Sequence, residues 1–275
     1  ATQRYYIASR TGTEFIDLKT GILRHHNWVR GACLYGIMPA NGLLYATPNP
    51  CICYVQSKLN GFNALAATGD HRPIRDRLVK GPAFTKKLAT RHSPLATSSD
   101  WPTFRHDPER TGATAAALPE DLTIAWRTPL PGRLSAPTAV QGKVYAAQIH
   151  KSTLNALDAD TGKILWRFVA GGRIDSPPTI AGGRAVFGCR DGKVYCLDAD
   201  TGEVAWVFTA ATNRRKIVAD ERLESLWPVH GAVLIDDGKV FFVAGRSMFL
   251  DGGLTFYSLD LKTGEEIIAM LESLK

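Results

Sequence analysis

The sequence lacks several features that mark other classes of protein. No stretch of its 275 residues approaches the 18 or more consecutive apolar residues of a transmembrane helix, so no membrane span is expected in this chain. Five cysteines are an odd number and too few for a small fold held together by disulfides. Hydrophobic residues make up 45% and charged residues 21%, which excludes disorder as the dominant state and supplies a sizeable core.

The excess of basic residues is local. The net charge is +7, and the segment from His71 to Arg110 alone contains nine Lys or Arg against four Asp or Glu. A nucleic-acid-binding domain is expected to spread its basic residues along one face of a fold. A solvated loop is therefore the expected structure of this segment, and no nucleic-acid partner is expected.

Repeats indicate the architecture. Trp126, Trp166 and Trp206 recur at intervals of 40 residues, and the string LDADTG at 157–162 recurs at 197–202. Degenerate copies stand at 259–264 (LDLKTG) and 16–21 (IDLKTG). Helical repeats need amphipathic runs of ten or more residues, whereas a fixed period near 40 built from short strands is typical of propeller blades. The sequence predicts an all-β fold, a β-propeller of four-stranded antiparallel blades.

One unit can be divided into its four strands. Residues 176–180, 185–189, 193–197 and 204–208 form short β-rich runs, and Asp191-Gly192 supplies a two-residue hairpin turn between the second and third. Asx and glycine residues at 198–202 turn the chain into the outer strand. About five such blades are visible, of which the first is incomplete.

The repeated motif carries a family resemblance. Residues 156–166 (ALDADTGKILW) match the tryptophan-docking motif of quinoprotein dehydrogenase propellers, and residues 196–206 repeat it with Cys196 in place of alanine. The chain thus resembles the pyrroloquinoline-quinone-repeat (PQQ-repeat), quinoprotein alcohol dehydrogenase-like superfamily. The resemblance implies that each tryptophan stacks on the neighbouring blade. It also favours a periplasmic or other extracytoplasmic location, since relatives include the propeller lipoprotein of the outer-membrane assembly machinery.

The resemblance leaves the activity open. In the family's dehydrogenases the quinone lies over a disulfide between adjacent cysteines, beside a calcium ion held by carboxylates and an asparagine. This chain has no adjacent pair, because Ile52 separates Cys51 from Cys53, and no calcium site is recognisable. PQQ with calcium is implied by the resemblance only, and no catalytic residue is assigned. Two hypotheses remain: a non-catalytic binding or scaffold module of a larger protein, or part of a PQQ-dependent dehydrogenase whose cofactor residues lie elsewhere.

We predict three regions. Residues 1–66 hold blades one and two in part, 67–121 form a basic insertion or linker, and 122–275 hold the outer strand of blade two, at Thr123–Thr128, followed by blades three to five. The stretch from Gly69 to Ser99 is expected to be the least packed. Residues 101–107 (WPTFRHD) resemble the lead-in to a first blade, which favours a linker between two runs of blades. The start at Ala1, within a β-pattern, favours a piece of a longer protein.

Candidate ligand-binding residues lie in unusually long loops. In a four-stranded blade, the connection to the next blade and the turn between the second and third strands open on one face, called here the loop face. The enlarged loops at 25–31, 47–57, 212–226 and 245–253 all belong to it. A protein partner, or an anionic or carbohydrate-like ligand, is expected there, and the candidate residues are Arg30, Trp227, His230, Arg246 and Asp251.

Three cysteines are expected on the same face. Cys33 lies in the passage into blade two, and Cys51 and Cys53 lie in the middle turn of that blade. A disulfide from Cys33 to either partner, a tetrahedral zinc site with His25 or His26 as the fourth ligand, and three unbonded thiols all remain open. Cys189 and Cys196 flank a two-residue turn out of register and are not expected to pair.

Overall fold

The computed structural model describes residues 1–27, 29–48, 53–54, 59, 61–67, 73–87, 100–118, 120–219, 222–249 and 251–272. These residues contain 21 β-strands and two short 3₁₀ helices, at Pro82–Thr85 and Ile149–Lys151. Within the same ranges, no helix has the length and hydrophobicity needed to cross a membrane. The prediction of an all-β fold is confirmed.

The N-terminal part forms two three-stranded antiparallel sheets. The first contains β1 (Tyr5–Ala8), β2 (Thr13–Asp17) and β3 (Leu23–His26), and the second contains β4 (Ile37–Ala40), β5 (Leu43–Ala46) and β6 (Asn63–Ala66). A short strand, β7 (Leu78–Lys80), follows in the basic insertion.

Three consecutive four-stranded antiparallel blades follow, each ordered from its inner to its outer strand. Blade three contains β8 (Thr138–Val140), β9 (Lys143–Gln148), β10 (Thr153–Asp158) and β11 (Ile164–Val169). Blade four contains β12 (Thr179–Ala181), β13 (Arg184–Gly188), β14 (Lys193–Asp198) and β15 (Val204–Thr209). After a hairpin of β16 (Lys216–Ala219) and β17 (Arg222–Ser225), blade five contains β18 (Leu234–Asp236), β19 (Lys239–Ala244), β20 (Leu254–Asp260) and β21 (Glu266–Glu272).

The three tryptophans dock in the same way, as the repeat predicts. The indole nitrogens of Trp126, Trp166 and Trp206 donate to the carbonyls of Ala159, Ala199 and Leu261 at 2.7, 3.0 and 2.9 Å. Each ring lies against the glycine that closes the turn of the next blade: Gly162, Gly202 and Gly264. These glycines have φ of 69°, 73° and 71°, and a Cβ added to any of them would come within 2.7 Å of a ring atom. Both the left-handed backbone and the close approach therefore require glycine.

Apolar cores fill the gaps between successive blades. Between blades three and four, the rings of Phe187 and Tyr195 stack with centroids 5.4 Å apart. Between blades four and five, Phe242 and Tyr257 repeat this stacking at 5.2 Å, next to the fully buried Trp206. The blades are thus held face to face mainly by burial of aromatic surface.

The predicted outer strand of blade two is wrong. Trp126 docks on blade three, but residues 123–128 form no strand, and Leu122 and Ile124 are 74% and 68% exposed. The sheet β4–β6 does not join this segment. It packs instead against the β16–β17 hairpin, in a core that includes Ala46, Ile217 and Leu226. Trp126 and Thr128 anchor the segment to blade three through hydrogen bonds to Ala159 and Gly162.

The middle of the basic insertion is packed, contrary to expectation. β7 pairs with β15 and adds a fifth strand to blade four, and Ala83 is completely buried. Arg77 donates to the hydroxyl of Tyr257 at 3.0 Å and to the carbonyl of Ala210 at 3.1 Å, which ties the insertion to two blades. The open edge of β15 offers unpaired backbone groups, and Leu78, Ala83 and Phe84 supply the apolar anchors. Residues 68–72 and 88–99 lie outside the described residues.

The lead-in segment runs along the inner strands of the blades. Trp101 exchanges two backbone hydrogen bonds with Ala139 of β8, at 2.6 and 2.9 Å. Pro102 accepts from the amide of Ile180 at 2.8 Å, and Arg110 reaches the carbonyl of Val233 at 3.4 Å. This segment therefore contacts blades three, four and five on the side that faces the axis.

Candidate functional site

Backbone hydrogen bonds bring the turns and connections of blades four and five together on the loop face. The amide of Arg190, in the β13–β14 turn, donates to Arg173 in the β11–β12 connection at 2.9 Å. The amide of Ser225 donates to Arg190 at 2.9 Å, and that of Gly245 donates to Pro228 at 3.0 Å. The grouping of loops that strand order predicts is therefore present in the structure.

Three arginines from three different loops surround one buried glutamate. Glu224, at the end of the hairpin, has a side chain only 2% exposed. Its Oε2 accepts hydrogen bonds from Arg246 at 2.8 Å and from Arg190 at 3.2 Å. The NH2 group of Arg173 lies 3.5 Å from Oε1. Asp175 pairs with Arg190 and, at 2.8 Å, with the Nε of Arg173. These five residues are called the arginine cluster.

Guanidinium groups outnumber carboxylates among the described members of the cluster. Three arginines face Glu224 and Asp175. A buried charge is costly unless it is paired and hydrogen-bonded. The surplus of guanidinium groups favours a negative group over a positive one at this site.

Asp251 and His230 lie beside the cluster, and the pKa of each is shifted from its ordinary value. Burial raises the pKa of Asp251 to about 7, although Arg215 and Arg246 act in the opposite direction. Its Oδ2 is buried without a hydrogen-bond partner. The side chain of His230 reaches solvent, yet partial desolvation and the charge of Arg190 lower its pKa. Both groups are thus biased towards their neutral forms.

The structure brings together four of the five candidate residues. Arg246 belongs to the arginine cluster, with Asp251 and His230 next to it. Trp227 is 7% exposed and packs in the core between the hairpin and the N-terminal sheets, where its indole donates to the carbonyl of Asp251 at 3.2 Å. Its surroundings are those of a structural anchor for the Asp251 loop.

Arg30 lies apart, in the N-terminal part of the chain. It donates to the carbonyl of Arg10 at 2.6 Å and to the Sγ of Cys33 at 3.3 Å, and its guanidinium lies 5.5 Å from the ring of Tyr54. Arg30 therefore joins the segment containing Cys33 to the turn containing Cys53.

The cysteines show no metal centre within the described ranges. Cys33 is a free, exposed thiol, and Cys53 is also exposed. Cys51 lies outside the described residues. Cys189 and Cys196 are buried, and burial raises the pKa of both thiols. Among the residues that can be examined, no group of three His, Cys, Asp or Glu could hold a metal ion.

Sequence reasoning missed Arg173, Asp175, Arg190 and Glu224. A signal was present for the first, because Arg133 and Arg173 occupy equivalent positions one 40-residue repeat apart. Glu224 carries no such signal, since the hairpin that supplies it interrupts the repeat.

Comparison with known proteins identifies the family. Residues 108–270, more than half of the chain, match the model of a PQQ-repeat family described as "Outer membrane protein assembly factor BamB". The chain belongs to this PQQ-repeat family. No match to a curated protein was found.

Solved structures similar to this PQQ-repeat chain support the fold. The quinohemoprotein alcohol dehydrogenase ADHIIG from Pseudomonas putida HK5 is 19% identical, with a TM-score of 0.53 over 63% of this chain and 27% of that one. A europium-containing methanol dehydrogenase is 19% identical, with a TM-score of 0.51 over 64% of this chain and 32% of that one. The quinohemoprotein alcohol dehydrogenase from Comamonas testosteroni is 23% identical, with a TM-score of 0.50 over 66% and 28%. The chain thus spans about a quarter to a third of these proteins.

The described residues do not fit the calcium-bound quinone that the resemblance implies. A calcium ion takes six to eight oxygen ligands, largely from carboxylates. The described part of the chain has no group of three acidic or other metal-ligating side chains, and the carboxylates of the arginine cluster are already engaged by guanidinium groups.

Proposed function

We propose that this PQQ-repeat chain is a non-catalytic binding or scaffold module of a larger extracytoplasmic protein, and that it binds a partner protein through its loop face. One observation carries the proposal: loops from blades four and five converge there on a single buried carboxylate. Rigid β-blades hold these loops, and binding residues are commonly placed on loops positioned by such a scaffold.

The chemistry of the loop face suits binding better than catalysis. Cys189 is the nearest thiol, but it is completely buried and burial raises its pKa, so it stays protonated and unreactive. The hydroxyl of Tyr195 donates to Asp191 at 2.6 Å, and burial also raises its pKa. Neither group forms an accessible pair of nucleophile and base.

Face-specific photo-crosslinking tests this proposal. A photoreactive amino acid is placed singly at His150 or Met248 on the loop face, in the full-length protein expressed in its natural host. Matched controls carry it at Asp160 or Asp200, equivalent turns on the opposite face. We expect a discrete protein adduct from the loop-face positions only. Adducts from both faces, from the opposite face alone, or from neither would overturn the proposal.

A further inference from the structure

The two faces of the blades differ in charge. The outer turns on the face opposite the loop face, residues 158–163, 198–203 and 260–265, contain seven acidic and two basic residues, and Lys86 and Lys143 pair with three of the acidic ones. The loop-face segments 129–137, 149–152, 170–178, 189–192, 210–233 and 245–253 contain nine basic and six acidic residues. The same 40-residue unit that builds the blades therefore gives the module a polarity.

On the loop face, basic side chains are more exposed than acidic ones. Arg133, Lys151 and Arg214 are exposed on the loop face, whereas its described acidic groups, Asp175, Asp191, Glu224 and Asp251, are at least partly buried. An approaching partner would therefore meet positive charge first. Opposite charge on a partner would both steer its approach and fix its orientation.

The strongest positive charge is set back from the surface. The side chains of Arg190, Arg246 and Arg173 are 20%, 12% and 9% exposed, and they lie at the junction of blades four and five, where Asp175 pairs with Arg190 and Arg173. A flat anionic membrane or a stiff nucleic-acid backbone would contact the exposed rim but not these guanidinium groups. A side-chain carboxylate on a flexible peptide is small enough to enter.

Resting on the function proposed above, we propose that the loop face binds an acidic peptide segment of the partner, with a carboxylate entering at Arg190 between blades four and five. Arg190 is the most exposed arginine of the cluster, and its Nε and NH1 groups pair with Asp175 and Glu224, so an entering carboxylate would share or displace these contacts. Guanidinium groups match the planar carboxylate geometry and can pair with it through two hydrogen bonds. The exposed Arg133, Lys151 and Arg214 would contact further acidic residues along the segment.

Titration with a defined acidic probe tests the inference. Fluorescein-labelled hexaglutamate is titrated with the full chain and followed by fluorescence anisotropy, with hexalysine as the probe control, at about 50 mM salt to limit screening. Arg190→Gln removes the innermost contact and Arg214→Glu reverses an exposed loop-face charge. Lys163→Glu makes the same charge change on the opposite face and is the matched control. Circular dichroism checks that each variant folds.

We expect saturable binding of hexaglutamate only, weakened about tenfold or more by Arg190→Gln and severalfold by Arg214→Glu, with Lys163→Glu close to the unmodified chain. Absence of binding, or equal weakening by Lys163→Glu and Arg214→Glu, would overturn the inference. Displacement by inorganic phosphate well beyond that by sodium chloride of equal ionic strength would also overturn it, because the site would then prefer phosphate. Loop-face crosslinks without hexaglutamate binding would reject this inference and leave the binding module standing.

Discussion

At the scale of single residues, the docking of each tryptophan depends on a glycine that serves two purposes. Gly202 has a φ of 73°, and a Cβ there would come within 2.7 Å of the Trp166 ring. Gly142 has a φ of 72° with nothing within 4 Å of its Cβ position. The two positions therefore share the backbone requirement and differ only in the tryptophan contact.

This pair predicts a difference in stability. Gly142→Ala should cost about 1–2 kcal/mol of unfolding free energy, the penalty of the left-handed conformation. Gly202→Ala should cost at least about 1–3 kcal/mol more, because the added methyl group displaces Trp166. Urea denaturation of both variants measures the difference. Equal losses would show that the docking contact contributes little.

The titration of Asp251 predicts a pH-dependent stability. Its pKa is about 7 in the folded chain against an ordinary value of 3.8. Between these values the folded state keeps a proton that the unfolded state has lost, so this group makes stability fall as pH rises, by about 1 kcal/mol per pH unit. Asp251→Asn should therefore gain stability relative to the unmodified chain between about pH 4 and pH 7.

Asparagine suits this test because Asp251 has a φ of 52°, a conformation that asparagine also tolerates. Denaturant unfolding at a series of pH values measures the difference. A difference that stays constant across this range would mean that Asp251 titrates normally in the fold.

At the scale of elements, the strands of blades three to five could be predicted because their signals are local. Asp158, Asp198 and Asp260 each accept hydrogen bonds from the threonine three residues later, so a six-residue motif encodes each turn. The pairing of β7 with β15 could not be predicted. It joins Val79 to Val207 across more than a hundred residues, and a three-residue strand has no periodicity to detect.

The arginine cluster escaped prediction for a related reason. Glu224 meets Arg190 and Arg246 only because the β16–β17 hairpin folds across the ends of two blades. Its position is set by tertiary packing against the N-terminal sheets, not by the repeat. Sequence reasoning placed Arg246 on the loop face, but it could not locate the carboxylate that Arg246 binds.

Hydrogen exchange tests two findings together: the packing of β7 on blade four and the exposure of the segment around residues 121–125. The amide of Gly81 donates to the carbonyl of Ala205 at 2.8 Å, and that of Thr209 donates to the carbonyl of Arg77 at 2.7 Å. The amides around β7 should therefore exchange their hydrogens as slowly as those of blade four. Residues 121–125 are exposed and should exchange about a hundredfold faster. Mass spectrometry of peptic peptides compares them. Faster exchange at residues 78–81 than at residues 121–125 would mean that this part of the insertion is an unpacked loop.

At the scale of the whole molecule, blades four and five and the N-terminal sheets meet at the loop face through the β16–β17 hairpin. One side of the β16–β17 hairpin packs against the N-terminal sheet of β4–β6, and Glu224 at its end meets the loops of blades four and five. This face therefore contributes to internal packing as well as to the proposed binding. The lead-in at 101–110 contacts three blades in succession from the axial side. The division of the chain into two runs of blades joined by residues 67–121 stays a prediction.

The central proposal is that this module binds and does not catalyse. It is tested most directly by adding PQQ and calcium to the full-length protein, then following the quinone absorbance and the reduction of an artificial electron-acceptor dye with primary alcohols. We predict dye reduction no faster than in a protein-free control. Uptake of the quinone accompanied by alcohol-dependent dye reduction would contradict the account and establish a quinone-dependent dehydrogenase.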